Sequence, residues 1–274
     1  MESIKIICSD IDGTILNSNR ELSDFTIETV KQVILRNEIQ FIFASSRMPA
    51  SIHKLYEKIG INPPSISYNG ALVLLKSSDI SSFVFSKTIG SRNTKALFEK
   101  AEILDLHISL YTFNNWLSNR SDFWLEREIT NTKTIPNSVE KSAILSGLEN
   151  NTLNSHKIMC MGESYKIDKL QLYIEESLSG LQSYRSKDTY LEIAPKGTNK
   201  AIGLKKLEKH LKFSSENVLA FGDNINDIEL LEYSKIGVSV SNASQITKSV
   251  SRIETDSNVL DGVAKYLQQF FNIR

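Results

Sequence analysis

The first apolar run, Ile4 to Cys8, ends at Ser9-Asp10-Ile11-Asp12-Gly13-Thr14, which predicts a short buried strand finishing in acids and a glycine. Ser23 stands where a helix cap would, and Ile27, Val30, Val33 and Ile34 recur at helical spacing before a second apolar run, Gln40 to Ala44. Both runs are nearly all apolar rather than alternating, as expected of parallel strands covered on both faces in a βαβ unit. A helical stretch from Ala50 to Ile59 follows, then Pro63-Pro64, then Ser65 to Tyr68 running into the hairpin signal Asn69-Gly70. Beyond about Phe83 the texture changes to shorter alternating runs, His107 to Phe113, Lys157 to Met161 and Tyr190 to Ile193, with helical patterns at Ser91 to Leu106 and Ser164 to Leu178. The βα rhythm returns with a helix from Lys200 to Leu211, a strand from Asn217 to Phe221, the turn Gly222 to Asp227 opening a helix, a final strand from Ile236 to Val240, and two closing helices.

The pattern therefore predicts an α/β protein. A Rossmann-like parallel-sheet core is built from residues 1–82 and 192–274, and an α+β domain, 83–191, is inserted between its halves. Asn131 to Ser155, rich in Asn, Ser and Lys, reads as loop or exposed surface. Length agrees, since 274 residues at roughly 150 per domain give nearly two. Lys plus Arg (32) equals Asp plus Glu (32), so no overall field draws the chain to nucleic acid or an anionic membrane, and a charged ligand needs a local site. No apolar run reaches membrane-spanning length and Met1 to Lys5 lacks a leader's basic and apolar regions, which makes a cytoplasmic protein the expectation. Cys8 and Cys160 have no metal-ligand spacing and read as core thiols. Oligomeric state cannot be read from this pattern.

In open parallel sheets ligands bind beyond the carboxyl ends of the strands, and this chain repeatedly places polar residues there. The first strand delivers Asp10 and Asp12, the second Ser45, Ser46 and Arg47, and a later one Asp223, while Lys200 opens the helix leading into it. Phosphoryl transfer needs such a set: hard oxygen ligands for a metal, an exposed anion to attack, and cations and hydroxyls to meet the phosphoryl charge. Because the chain leaves the strand at Gly13, the carboxylates of Asp10 and Asp12 can face one pocket from different directions. Asp10 suits a nucleophile, and Asp12, kept from ionising by a neighbouring negative charge, suits an acid that later acts as base. Taken singly each residue has a plainer use: the acids and Asn226 near Asp227 as helix caps, Lys200 as a solvated lysine, Ser45 as a loop serine. A calcium loop of the EF-hand kind is excluded because Ile15 and Leu16 stand where oxygen donors are needed.

The joint arrangement resembles the haloacid dehalogenase superfamily, and within it the Cof-like sugar-phosphate phosphatase branch. Ile6 to Leu16 is similar to the family's Asp-x-Asp-Gly-Thr-Leu motif, and Ala44-Ser45-Ser46-Arg47 to its Ala-Thr-Gly-Arg, with Ser46 in place of glycine. Pro195-Lys196-Gly197-Thr198-Asn199-Lys200 is similar to Pro-Lys-Gly-x-x-Lys, and Gly222 to Asp227 to Gly-Asp-x-x-Asn-Asp. Asn69-Gly70 and Asp261-Gly262-Val263-Ala264 also follow the branch, whereas Ser241 replaces a glycine in the segment Ile236 to Ala243.

The resemblance implies a phosphoric monoester hydrolase with Asp10 as the nucleophile forming an aspartyl-phosphate and Asp12 as general acid and base. It implies Mg²⁺ held by the carboxylates of Asp10 and Asp223 and the backbone carbonyl of Asp12, with Asp227 an outer or direct contributor. Ser45 and Lys200 would bind the phosphoryl oxygens, and Asn226 would contact the phosphate or orient Asp10. The insertion would be the α+β cap that sets specificity for a small phosphorylated metabolite, a sugar phosphate or pyridoxal phosphate, although His107, Tyr111, Trp116, Trp124, Tyr184 and Arg185 each serve equally as packing or surface. Two other readings remain: a phosphomutase using the same aspartates, and a non-catalytic phospho-ligand-binding protein.

Overall fold

The computed structural model describes residues 4–273, so Met1 to Ser3, part of the amino-terminal stretch read for a leader, lie outside the described residues. The chain begins β1 (Ile6–Ser9), α1 (Asp24–Asn37), β2 (Gln40–Ala44), α2 (Pro49–Ile59), β3 (Ser65–Ser67), β4 (Leu72–Leu74) and β5 (Phe83–Ser86). The middle comprises α3 (Ser91–Ile103), β6 (His107–Thr112), β7 (Asn115–Ser118), α4 (Phe123–Thr132), β8 (Asn137–Ser138), α5 (Lys141–Glu149), β9 (Lys157–Met161), α6 (Ser164–Ser177), β10 (Leu181–Lys187) and β11 (Tyr190–Pro195). It closes with α7 (Lys200–Lys205), α8 (Glu208–Leu211), β12 (Val218–Gly222), α9 (Ile228–Tyr233), β13 (Ile236–Val240), α10 (Gln245–Val250), β14 (Ile253–Thr255) and α11 (Gly262–Phe271).

Two units result, one ending at Phe85 and resuming at Asn199, the other running from Ser86 to Thr198. The breaks fall after 85 and 198 rather than after 82 and 191, because β5 is the edge of the first unit's sheet and β11 lies between β10 and β9 in the second. In the first unit eight strands run in the order β14-β13-β12-β1-β2-β3-β4-β5, and β1 pairs in parallel with both β2 and β12. Its near-continuous apolar strands are explained by covering on both faces. Ile7, Phe41, Phe43, Leu219 and Phe221 pack with Val30, Val33, Ile52 and Leu267 on one side. Ile6, Cys8, Ile42, Val218 and Ala220 pack with Leu204, Leu207, Leu230 and Leu231 on the other. Ser23 caps α1 through Thr26 N–H (3.0 Å), and β3 and β4 form the expected hairpin across Asn69-Gly70.

The second unit holds a six-stranded sheet, β10-β11-β9-β6-β7-β8, with α3, α5 and α6 against one face. Ile108, Leu110, Ile158, Cys160, Leu191 and Ile193 belong to that helix-packed core, so by strand alternation Ser109, Tyr111, Lys157, Met159 and Glu192 take the opposite face. The segment Asn131 to Ser155 is not a plain loop, since α5 buries Ile144 and Leu148. Its short apolar stripe is diluted by Ser, Lys and Glu, which hid the helix from periodicity. Strand β14, absent from the sequence expectation, adds in parallel to β13, and the helix expected over Lys200 to Leu211 divides into α7 and α8. Both cysteines are buried free thiols, one in each unit. Among the described residues no helix is long and apolar enough to cross a membrane.

Candidate active site

The three central strands β2, β1 and β12 are parallel neighbours, so their carboxyl ends open at one edge of the sheet and bring residues from distant parts of the chain together. Asp10 leaves β1 with its amide bonded to the Phe221 carbonyl (3.0 Å), Ser45 leaves β2, and Asp223 leaves β12. One carboxylate oxygen from each of Asp10, Asp223 and Asp227 lies within 4.8 Å of the others. Lys200, fully buried at the start of α7, donates from Nζ to Asp10 Oδ1 and Asp227 Oδ1, both at 2.5 Å. Asn199 caps α7 by accepting the Ile202 amide (2.7 Å), which sets where Lys200 projects.

Asp227 is also the cap the sequence alternative foresaw. Its Oδ2 accepts the amides of Asp223 (3.0 Å) and Asn224 (3.1 Å) while Oδ1 is taken by Lys200, so it binds lysine and backbone with both oxygens. Thr14, which the sequence reading did not assign, donates to Asp223 Oδ1 (2.8 Å) and lies 3.4 Å from Asp10 Oδ2. Its place after Asp-x-Asp-Gly was the signal available. Gly13 has φ +84°, and a Cβ there would stand 2.4 Å from Asp223 Oδ2, so the turn requires glycine for both conformation and space.

The charges balance poorly among protein groups alone. Burial, then the nearby Asp227 and Asp223, push the Asp10 carboxyl up against the opposing pull of Lys200. Burial and Asp227 raise Asp223 to about 6, although Thr14 and Lys200 oppose. For Lys200 burial acts downward but is outweighed by Asp10 and Asp227, which hold the ammonium well above its usual range. Three carboxylates around one ammonium leave a formal charge of minus two in a buried place. Hard oxygen donors at this separation fit a divalent cation such as Mg²⁺, which would reverse the upward push on Asp10 and Asp223.

Asp12 behaves differently from expectation. Burial would raise its carboxyl, but Arg47 donates from Nε to Oδ2 (2.7 Å) and from a terminal nitrogen to Oδ1 (2.6 Å), and the net effect lies below the usual range. The neighbour that decides its protonation is thus a guanidinium, not the negative charge the sequence reading supposed. Arg47, quoted there without a role, also donates its backbone amide to Ser45 Oγ (3.2 Å), so one loop presents both the hydroxyl and the fork. Asn226 Nδ2 donates to Asn69 Oδ1 (3.2 Å), anchored on the Asn-Gly turn rather than on Asp10. Gly70, at φ +90°, lets that turn abut α7, since a Cβ there would meet the Asn199 carbonyl oxygen at 2.1 Å. Thr14 and Asn69 thus hydrogen-bond to Asp223 and Asn226 at the candidate site.

The profile of the haloacid dehalogenase-like hydrolases matches residues 7–267 of this chain. The chain belongs to that family. A Haemophilus influenzae protein is 30% identical over 272 residues, 97% of this chain and 98% of its own length. The 5-amino-6-(5-phospho-D-ribitylamino)uracil phosphatase YcsE of Bacillus subtilis is 26% identical over 270 residues, covering 97% and 96%. Among solved structures, a haloacid dehalogenase-like hydrolase from Bacteroides thetaiotaomicron superimposes with a TM-score of 0.89 at 25% identity, covering 98% of this chain and all of that one.

Proposed function

We propose that this hydrolase is a Mg²⁺-dependent phosphatase of small phosphorylated metabolites that works through an aspartyl-phosphate on Asp10. The observation that carries the reading is Lys200 Nζ held at 2.5 Å from Asp10 beside Asp223, an arrangement that sets an ammonium and a cation-binding position against a buried carboxylate whose ionised form burial alone disfavours. Asp10 attacks phosphorus as the ester P–O bond breaks, and Asp12 delivers a proton to the departing oxygen. Asp12 then takes a proton from water as that water attacks the phosphorus, releasing inorganic phosphate and restoring the Asp10 carboxylate. Because Arg47 holds Asp12 ionised at rest, the acid role requires the fork to release it. Ser45 Oγ and Lys200 meet the phosphoryl oxygens, while Asp227 keeps Lys200 in place.

Mg²⁺ would be held by the carboxylates of Asp10 and Asp223 and the main-chain carbonyl of Asp12, and would supply charge that offsets repulsion between carboxylate and phosphate. Asp227 has both oxygens engaged and belongs behind that shell. Substrate choice rests with the second unit, whose sheet face opposite α3, α5 and α6 carries the stacked pair Tyr111 and Trp116 (5.6 Å between rings) and the buried pair Lys157 and Glu192 (3.8 Å), with Trp124 and Arg127 of α4 packed on Tyr190 of that face. Relatives named for pyridoxal phosphate and for phosphoribitylaminouracil mark the range of esters to try, with hexose phosphates. The test is release of p-nitrophenol from p-nitrophenyl phosphate with and without MgCl₂, beside Asp10→Asn, followed by that panel ranked by kcat/KM. Equal rates in the two proteins would remove the assignment, and isomerised phosphosugar in place of free phosphate would make the protein a mutase.

A further inference from the structure

The loop between β13 and α10 touches both acidic turns at once. Asn242 Nδ2 donates to the Gly13 carbonyl (2.8 Å), and the Ser244 amide donates to the Asp223 carbonyl (2.9 Å). Asn242 is itself held, because its Oδ1 accepts the Asn258 amide (2.9 Å). Asn258 Nδ2 in turn reaches the carbonyl of Leu16 (2.7 Å), farther along the turn that carries Asp10 and Asp12. From the opposite direction Gly13, lacking a Cβ that would stand 2.4 Å from Asp223 Oδ2, lets the two turns come together, and the Thr14 hydroxyl ties the first to Asp223 Oδ1 at 2.8 Å. The separation of the two turns is therefore held by tethers on both sides.

We infer that Asn242 is a positioning residue that sets the distance between the Asp10–Asp12 turn and Asp223, and so the size of cation these acids accept, with Asn258 holding Asn242 in place. The inference rests on the metal reading above. Mg²⁺ requires near-octahedral oxygen ligands at roughly 2.0–2.1 Å, whereas Ca²⁺ accepts six to eight at roughly 2.3–2.6 Å in flexible arrangements. A tether that holds the ligand-bearing turns at one spacing thus favours the smaller ion, and a loosened tether favours it less. Substitution of Ser241 for the glycine of the family pattern leaves this function intact, because Asn242, not Ser241, makes the link to Gly13.

Calorimetric titration of the purified chain, Asn242→Ala and Asn258→Ala with MgCl₂ and with CaCl₂ tests it. Mg²⁺ affinity falls by about tenfold in Asn242→Ala, in line with losses of outer ligand-orienting contacts. Ca²⁺ affinity falls less, so the Mg²⁺/Ca²⁺ ratio drops, and Asn258→Ala shifts the ratio in the same direction. At saturating Mg²⁺ kcat falls while KM for p-nitrophenyl phosphate holds. A general loss of stability would weaken both cations alike, so an unchanged ratio in the folded variants overturns the inference. If Asn242→Ala does not fold by circular dichroism, Asn258→Ala decides. An unsubstituted chain that binds no Mg²⁺ would instead remove the metal reading, and this inference with it.

Discussion

Acidification should unfasten the second unit through one histidine. His156 is fully buried, accepts the Phe113 amide at Nδ1 (3.2 Å), and meets Ser86 Oγ at Nε2 (2.9 Å). Since Nδ1 is an acceptor, the proton sits on Nε2 and is donated to Ser86. Protonating Nδ1 would set two N–H groups against each other in a place closed to bulk solvent. Burial accordingly lowers its pKa from 6.5 to about 4. The unfolded chain therefore binds the proton more readily than the folded one, so stability is lost as pH falls from about 6.5 towards 4. The full loss is about 3 kcal/mol, of which about 2.5 is reached by pH 4.5.

Trp116 and Trp124, the only tryptophans in the sequence, both lie in the second unit, so their fluorescence reports on it alone. Urea midpoints should drop by about 1 M between pH 7.5 and 4.5. His107, also lowered by burial despite Asp122 beside it, adds to the same slope. His156→Gln separates the two, because it offers one donor and one acceptor without titrating. The variant should be less stable at pH 7.5 yet show a markedly flatter pH dependence. Parallel curves for the two proteins would refute the assignment of that slope to His156.

Folding raises the Asp223 carboxyl from 3.8 to about 6, so without divalent cation stability falls as pH rises through that window. Asp223→Asn should then be more stable than the unsubstituted chain at pH 7.5 without cation, by on the order of 1–2 kcal/mol, and this order should reverse on adding MgCl₂; urea titrations with and without the salt would expose a failure of either half. Arg47→Lys replaces the two-pronged hold that keeps Asp12 ionised with a point charge, so the pH above which kcat falls for alkyl phosphates, which need a proton on departure, should move upward; an unmoved pH profile would speak against that hold. Gly70→Ala meets the Asn199 carbonyl oxygen at 2.1 Å and should displace the start of α7, costing more than about 1 kcal/mol and lowering kcat through Lys200, visible in melting curves and turnover together.

Much of the candidate site's geometry was legible along the chain because the residues it gathers lie in short segments whose residue types have few other joint uses. The acids after β1 and β12, the hydroxyl after β2 and the lysine opening α7 could be named from strand-end position and residue type. The alternation of βα texture with a different middle also marked two units. Partners farther apart were hidden. That Arg47 rather than a carboxylate faces Asp12, that Asp227 meets Lys200, and that Asn69 holds Asn226 depend on which turns meet across the sheet, and no local pattern encodes a distance between residues 27 to 157 positions apart. Helix α5 was lost for a simpler reason: its buried stripe is two residues deep, too short for periodicity to rise above its polar surroundings. Local sequence thus determined which side chains could do the chemistry, and tertiary packing decided which charges they confront, because electrostatic energy depends on separation in space and burial rather than on order along the chain.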